Sequence, residues 1–185
     1  MNSHSLIVLS APSGAGKTTI AREILARHPA DVMFSVSATT RAQRPGERDG
    51  VDYYFVTREK FEELIKGGSL IEHEEIFGNY YGTPKSEVER ARQMGKSLLF
   101  DIDVKGGISI RKQFPSESLL IFIAPPNFAV LETRLRARKT ESANTIERRL
   151  ERAGMEMGMA SEYDFIVVND DLGRAVKEVE GLIFI

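Results

Sequence analysis

A short apolar run, Leu6-Ile7-Val8-Leu9, passes directly into Ser10-Ala11-Pro12-Ser13-Gly14-Ala15-Gly16-Lys17-Thr18-Thr19 and then into the helix-forming Ile20-Ala21-Arg22-Glu23-Ile24-Leu25. Few chain paths satisfy that order. A buried strand, a turn of small residues and a helix bring several backbone N–H groups to one point, with the positive end of the helix dipole behind them; such a point binds phosphate. Lys17 stands where it can reach the β- and γ-phosphates of a nucleoside triphosphate, and the Thr18 hydroxyl where it can ligate Mg²⁺. The stretch departs from G-x-x-x-x-G-K-[ST] only at the first glycine, which is Ala11. The loop is expected to keep its shape provided residue 11 has a negative φ.

Further apolar runs, Leu98–Phe100 with Ile102, Leu119–Ile123 and Phe165–Val168, are bounded by turn residues and separated by segments of helical spacing. The alternation predicts an α/β fold, a parallel sheet flanked by helices, with ligands at the carboxyl ends of the strands. The length of 185 residues suits one domain with a small insertion. A net charge of −2 gives no basis for binding duplex nucleic acid, and the absence of cysteine excludes disulfides and thiolate-bound zinc. The start Met1-Asn2-Ser3-His4 has no basic segment of a secretion signal, and the run Leu119–Ala124 is far below membrane-spanning length. A cytoplasmic protein with neither nucleic-acid nor membrane partner is expected.

Between the first helix and residue 98 the texture changes. Asp52-Tyr53-Tyr54-Phe55-Val56, the helical pattern Phe61, Leu64, Ile65, then Ser69-Leu70-Ile71-Glu72 and the turn Phe77-Gly78-Asn79-Tyr80-Tyr81-Gly82 predict a small mixed-sheet subdomain over residues 37–90. It is inserted into a core of 1–36 and 91–185. Thr83-Pro84 is expected to open a helix with proline at its first position and Val88 and Ala91 inward. A helix is predicted over 127–138, then a polar hinge Lys139–Asn144 and a second helix carrying Ile146, Leu150, Ala153 and Met157. From Arg134 to Arg152 there are seven basic residues (Arg134, Arg136, Arg138, Lys139, Arg148, Arg149, Arg152) against three acidic ones. Alone, such a run reads as a solvated hairpin. Beside a phosphate loop, a segment about 134–150 reads as an arginine-bearing lid that neutralises charge and excludes water.

In Ser35-Val36-Ser37-Ala38-Thr39-Thr40-Arg41-Ala42-Gln43-Arg44-Pro45-Gly46-Glu47 two guanidinium forks lie close together in a polar loop, a suitable second phosphate site. Tyr53 and Tyr81 can add O–H donors. Glu72 ends an apolar run. One carboxylate can accept both donors of the guanine Watson–Crick edge, whereas adenine would leave it unsatisfied; Glu74 and Glu75 compete for that role. Asp101 and Asp103 follow a predicted strand at its carboxyl end, where an acidic residue can hold Mg²⁺ through water or contact the acceptor nucleotide; a loop-capping role suits Asp103 better than Asp101.

These residues together resemble the guanylate kinase family. The resemblance rests on Ser10–Thr18, Ser35–Glu47, Asp52–Val56, Phe77–Thr83, Phe100-Asp-Ile-Asp-Val-Lys-Gly106, Ile123-Ala-Pro-Pro126, Arg134–Arg138 and Val167-Val-Asn-Asp-Asp171, in family order along nearly the whole chain. It implies transfer of the γ-phosphoryl of ATP to GMP, with Mg²⁺ accompanying ATP. Carried over, Ser37, Glu72 and Asp101 are guanine-side contacts, with Thr83 also on the acceptor side, and Arg41, Arg44, Tyr53 and Tyr81 clamp the GMP phosphate. Ala11, Pro12, Ser13, Gly14, Ala15, Gly16, Lys17, Thr18 and Thr19 form the ATP phosphate loop, and Asn169 lies near the adenine. Lys17, Arg44, Arg134, Arg138 and Arg149 carry catalysis, and Thr18 carries the metal. Two other readings stay open: a related kinase acting on ribose 1,5-bisphosphate, and a non-catalytic guanylate-kinase-like module binding phosphopeptides. Use of dGMP and assembly into a homo-oligomer are also open.

Overall fold

The computed structural model describes residues 5–137 and 143–184. Strand β1 (Leu6–Ser10) is buried along its whole length, and helix α1 (Lys17–Arg27) begins directly after Gly16. Strands β2 (Val32–Phe34), β3 (Ala38–Thr39) and β4 (Tyr54–Phe55) lead to helix α2 (Arg58–Lys66), then β5 (Leu70–Ile76), β6 (Asn79–Pro84) and helix α3 (Lys85–Met94). The remainder alternates: β7 (Ser97–Asp101), α4 (Val104–Gln113), β8 (Ser118–Ala124), α5 (Phe128–Arg136), α6 (Ala143–Gly158), β9 (Phe165–Val168) and α7 (Leu172–Ile183).

Five strands form one parallel sheet in the order β2-β7-β1-β8-β9. β1 is central, with Leu9 beside Asp101 of β7 and Ser10 beside Phe122 of β8. The apolar runs of the sequence are four of these strands. β2, at three residues, is too short to show a period and went unread. Both faces are covered, as an all-parallel sheet requires. On one face Ile20 and Ile24 of α1 and Val176, Val179 and Ile183 of α7 pack against Ile7, Leu9 and Ile121. On the other, Val88 and Ala91 of α3 and Ile110 of α4 pack against Val8, Phe100 and Phe122. Leu182 and Phe184 pack beside Ile183, so the apolar end of the chain docks on the first of these layers.

A second, mixed sheet has the order β4-β3-β6-β5, with β3 parallel to β4 and antiparallel to β6. It has a small core of its own, Ala38, Phe61 and Leu70, with Phe61 supplied by the amphipathic α2 that Thr57 caps. Pairing slips between Leu70 and Glu72: Leu70 faces Pro84 and Glu72 faces Thr83. Ile71 thereby turns into the core of the first sheet while Leu70 stays in that of the second, so one β-bulge sets the direction of Glu72.

Pro84 is the residue preceding α3 rather than its first residue; it still belongs to β6. α5 and α6 pack through Leu131, Leu135, Leu150 and Ala153, the helical pair read from the sequence. Arg138 and the hinge residues Lys139–Ser142 lie outside the described residues. Among the described residues no helix is long and apolar enough to cross a membrane.

Asp103 caps α4, accepting from the backbone N–H groups of Lys105 and Gly106. Gly107, in that helix, lies so close to its neighbours that a Cβ would stand 2.2 Å from Tyr163 Oη and 3.0 Å from Ser10 Oγ. Tyr163 is itself buried and donates to the Val104 carbonyl at 3.0 Å. Gly107→Ala should lower stability by about 1–3 kcal/mol through overpacking, against a helix-propensity gain of about 1 kcal/mol. Adding Tyr163→Phe should recover part of the loss, a coupling readable from melting temperatures of the two single variants and the double.

Candidate active site

The carboxyl ends of the parallel strands and the facing edge of the second sheet enclose a cavity of about 710 Å³. One wall is the loop after β1. Gly14 has φ 91° and Gly16 φ 96°, values that side chains resist; the Gly16 carbonyl accepts from the Thr19 and Ile20 amides, and Lys17 and Thr18 at the start of α1 line the cavity. Among the described residues only Phe77 is a non-glycine with positive φ, so Ala11 has the ordinary backbone the loop was expected to need. The loop is braced from beneath: buried Asn169, just after β9, donates Nδ2–H to the Ala15 carbonyl at 2.7 Å. A Cβ on Gly16 would stand 2.3 Å from that same nitrogen.

Lys17 opens α1, and its Nζ donates to the Ile102 carbonyl at 2.8 Å and pairs with Asp101 Oδ1 at 2.5 Å. Strand register explains the meeting, since Asp101 ends β7 beside the end of β1. Thr18 is exposed on the cavity wall. From α6, Arg149 reaches the loop, its Nη1 donating to Ser13 Oγ at 3.2 Å. Arg134 on α5 is turned elsewhere: its Nη2 donates to the Asn169 carbonyl at 3.1 Å.

The opposite wall belongs to the second sheet. Glu47 organises the arginine loop, accepting from Arg41 Nη2 at 2.8 Å and from the Arg44 amide at 2.8 Å. Arg41 also lies over the Tyr53 ring, 5.3 Å from its centroid, and Tyr53 meets Tyr81 edge-on with centroids 6.1 Å apart. Arg41, Arg44 and Thr83 do not line the cavity, the Arg44 side chain being exposed, whereas Ser37, Glu47, Tyr53 and Tyr81 do. Glu72 accepts from the Thr83 hydroxyl at 2.7 Å. Burial pushes its carboxyl up to about 7, with the Asp103 and Glu74 carboxylates adding to the rise and the Thr83 bond opposing it.

A third group of residues crosses the cavity, and the sequence reading missed it. Arg152 of α6 pairs with Glu74 of β5 at 3.0 Å and with Glu156 at 2.8 Å, joining the arginine helix to the second sheet. Burial raises the Glu156 carboxyl above its usual range. Arg152 was visible in the sequence only as one more cation in a basic run; its i,i+4 spacing to Glu156 is the signal that was available. Of the residues singled out, Lys17, Thr18, Ser37, Tyr53, Glu72, Tyr81, Asp101 and Arg149 share this cavity, and Asp103 both caps a helix and lines it.

A phosphate-binding loop ahead of a helix, on the central strand of a parallel sheet and facing a lobe with its own arginine loop, defines a phosphate-loop kinase. The shikimate kinase structure from Bacteroides thetaiotaomicron shares the fold alone, at TM-score 0.52 and 15% identity over 97% of this chain and 98% of that one. The guanylate kinase family model matches residues 3–184. The guanylate kinase of Chlorobium chlorochromatii is 54% identical over 181 residues, covering 98% of this chain and 95% of that protein. The crystal structure of guanylate kinase from Anaplasma phagocytophilum superposes with TM-score 0.78 at 34% identity, covering 98% of this chain and 85% of that one. The chain belongs to the guanylate kinase family.

Asn169→Ala leaves the Ala15 carbonyl buried without its partner and should cost about 1–3 kcal/mol. A fall of several degrees in melting temperature, with faster amide exchange over residues 14–17, is the expected result; loss of stability with unchanged exchange there would show that the loop is braced by other means.

Proposed function

We propose that the protein transfers the γ-phosphoryl of ATP to GMP, giving ADP and GDP. The observation that carries this is one cavity walled on one side by the amide-rich loop with Lys17 and on the other by Glu72, Tyr53, Tyr81 and Ser37. A phosphate-binding loop facing a wall of hydroxyls and a base-reading carboxylate, with the arginine loop held by Glu47 beside it, is what a reaction between two phosphate esters needs.

On the donor wall, residues 11–19 hold the ATP phosphates, and Lys17 leaves Asp101 to reach them. Thr18 would hold Mg²⁺, which supplies charge neutralisation on the phosphates when bound. Its exposed hydroxyl at the start of α1 fits an ion taking most of its ligands from phosphate and water, and no group of three or more His, Asp or Glu among the described residues offers a protein-only site. Asn169 acts on this wall by supporting the loop, beside the adenine end. On the acceptor wall, Arg41, Arg44, Tyr53 and Tyr81 hold the GMP phosphate, while Ser37, Glu72, Thr83 and Asp101 face the base. Arg41 has to leave Glu47 and Arg44 has to swing inward to take part. The acceptor phosphate is already an anion, so no general base is required; charge neutralisation and alignment by Lys17, Arg44, Arg134, Arg138 and Arg149 provide the catalysis.

Residues 37–90 serve as the acceptor subdomain and about 134–150 as a closing lid on the core. We infer a cytoplasmic enzyme without nucleic-acid or membrane partners. The full acceptor wall, Glu72 included, supports a nucleotide acceptor over ribose 1,5-bisphosphate, and the intact loop with Lys17 supports catalysis over a purely binding module.

A screen of nucleoside monophosphates with ATP should find GMP far ahead of AMP, CMP and UMP; equal rates would overturn the reading. Glu72→Gln should raise KM for GMP about 10- to 100-fold, because a charged acceptor of two donors is lost, and leave KM for ATP nearly unchanged. The two guanine donors need the ionised carboxylate, and in the unliganded protein that group takes up a proton as pH falls through about 7. KM for GMP should therefore rise as the pH is lowered from 8 to 6, and most of the rise should be lost in Glu72→Gln, leaving the part due to the GMP phosphate, whose second pKa is about 6. Arg149→Ala should reduce kcat on the order of 10³-fold, as loss of an arginine finger does.

A further inference from the structure

Glu87, in the first turn of α3, is 1% exposed, yet neither wall of the cavity contains it. A buried carboxylate is costly unless every lone pair is used. Here Oε2 accepts from the Val36 amide at 2.8 Å and Arg90 Nη2 at 2.6 Å, and Oε1 from the Tyr54 hydroxyl at 3.1 Å and Arg90 Nε at 3.2 Å. Arg90 Nη2 also holds the Phe34 carbonyl at 3.0 Å.

The positions of these partners give the arrangement its meaning. The chain passes between the two sheets twice, through residues 35–37 on the way out and at Pro84–Lys85 on the way back. On the outward crossing the Ser35 amide bonds the Leu99 carbonyl of the first sheet, the Val36 amide bonds Glu87, and the Ser37 carbonyl accepts from the Tyr54 amide of the second sheet. Glu87 lies three residues beyond Pro84, and thus just past the return crossing. One carboxylate therefore fastens both crossings to each other and to β4.

We propose that Glu87 is a positioning residue for the acceptor nucleotide, setting where Ser37, Tyr53 and Thr83 stand relative to the phosphate loop. Ser37 directly follows the bonded Val36, Tyr53 directly precedes the bonded Tyr54, and Thr83 directly precedes Pro84. A small displacement of the staple moves all three together, and misplacement of a binding wall by an ångström weakens the ligand held there. Among the described residues, no hydrogen bond or ion pair joins β1, α1 or Asn169 of the donor wall to Glu87, Arg90 or Tyr54. The inference rests on the GMP kinase reading and adds to it a residue outside the cavity that acts on one substrate only.

The test is steady-state kinetics with GMP and ATP varied separately, alongside melting temperatures, for the wild-type chain, Tyr54→Phe and Glu87→Gln. Tyr54→Phe removes one hydroxyl from the staple and should raise KM for GMP about fivefold; Glu87→Gln disrupts the whole cluster and should raise it at least about tenfold. KM for ATP should stay within about twofold in both. Unchanged KM for GMP in both variants, or KM values for GMP and ATP that rise together as the melting temperature falls, would overturn the inference and leave the GMP kinase reading standing. A wild-type chain inactive on GMP would overturn both. Should Glu87→Gln fail to fold, Tyr54→Phe decides alone, since the same wild-type wall minus one oxygen either discriminates between the substrates or does not.

Discussion

Everything in the cleft depends on keeping a short stretch of backbone turned so that its amides converge, a conformation that a free peptide would leave at once. The protein holds it from both ends and from below. β1 fixes the entry at the centre of the sheet and α1 the exit, and the side chain of Asn169 supports the middle through the Ala15 carbonyl. The same residue's carbonyl receives Arg134. The end of β9, the loop and α5 are thus coupled through one buried residue. The glycine at position 16 is required twice over, by its φ and by the lack of room beside Asn169.

The second sheet meets a different demand. It has to present polar groups to a ligand while retaining too small a core to hold its shape alone: Ala38, Phe61 and Leu70 with a few half-buried neighbours. The bulge at Ile71 lends it part of the main core, and the Glu87 cluster ties its two connections together. Side chains that face the ligand can then be polar, because their elements are held from the other side.

Much of this was legible in residue order. The phosphate loop, four strands of the parallel sheet, the mixed second sheet and the paired α5 and α6 all follow from apolar period and turn chemistry, which are local properties. Asp103 as a helix cap was likewise readable, because capping acts across two or three residues. What was not legible depends on residues far apart. Asn169 and Ala15 are 154 positions apart, and their bond has no trace in either neighbourhood. Nothing in the residues around Glu87 and Arg90 separates them from an ordinary i,i+3 surface pair, and only the packing of α3 against residues 34–36 and Tyr54 makes them a buried junction. β2 is too short to announce itself, and the turn of Arg134 toward a carbonyl depends on where β9 ends.

Three cations in and beside the cleft are matched by carboxylates: Lys17 with Asp101, Arg41 with Glu47, Arg152 with Glu74 and Glu156. An arriving anion therefore exchanges places with a carboxylate instead of meeting uncompensated positive charge. A singly charged visitor gains little from one such exchange, whereas a ligand bearing several phosphates gains at successive pairs. Any such preference would reside in the protein's own carboxylates as much as in its arginines.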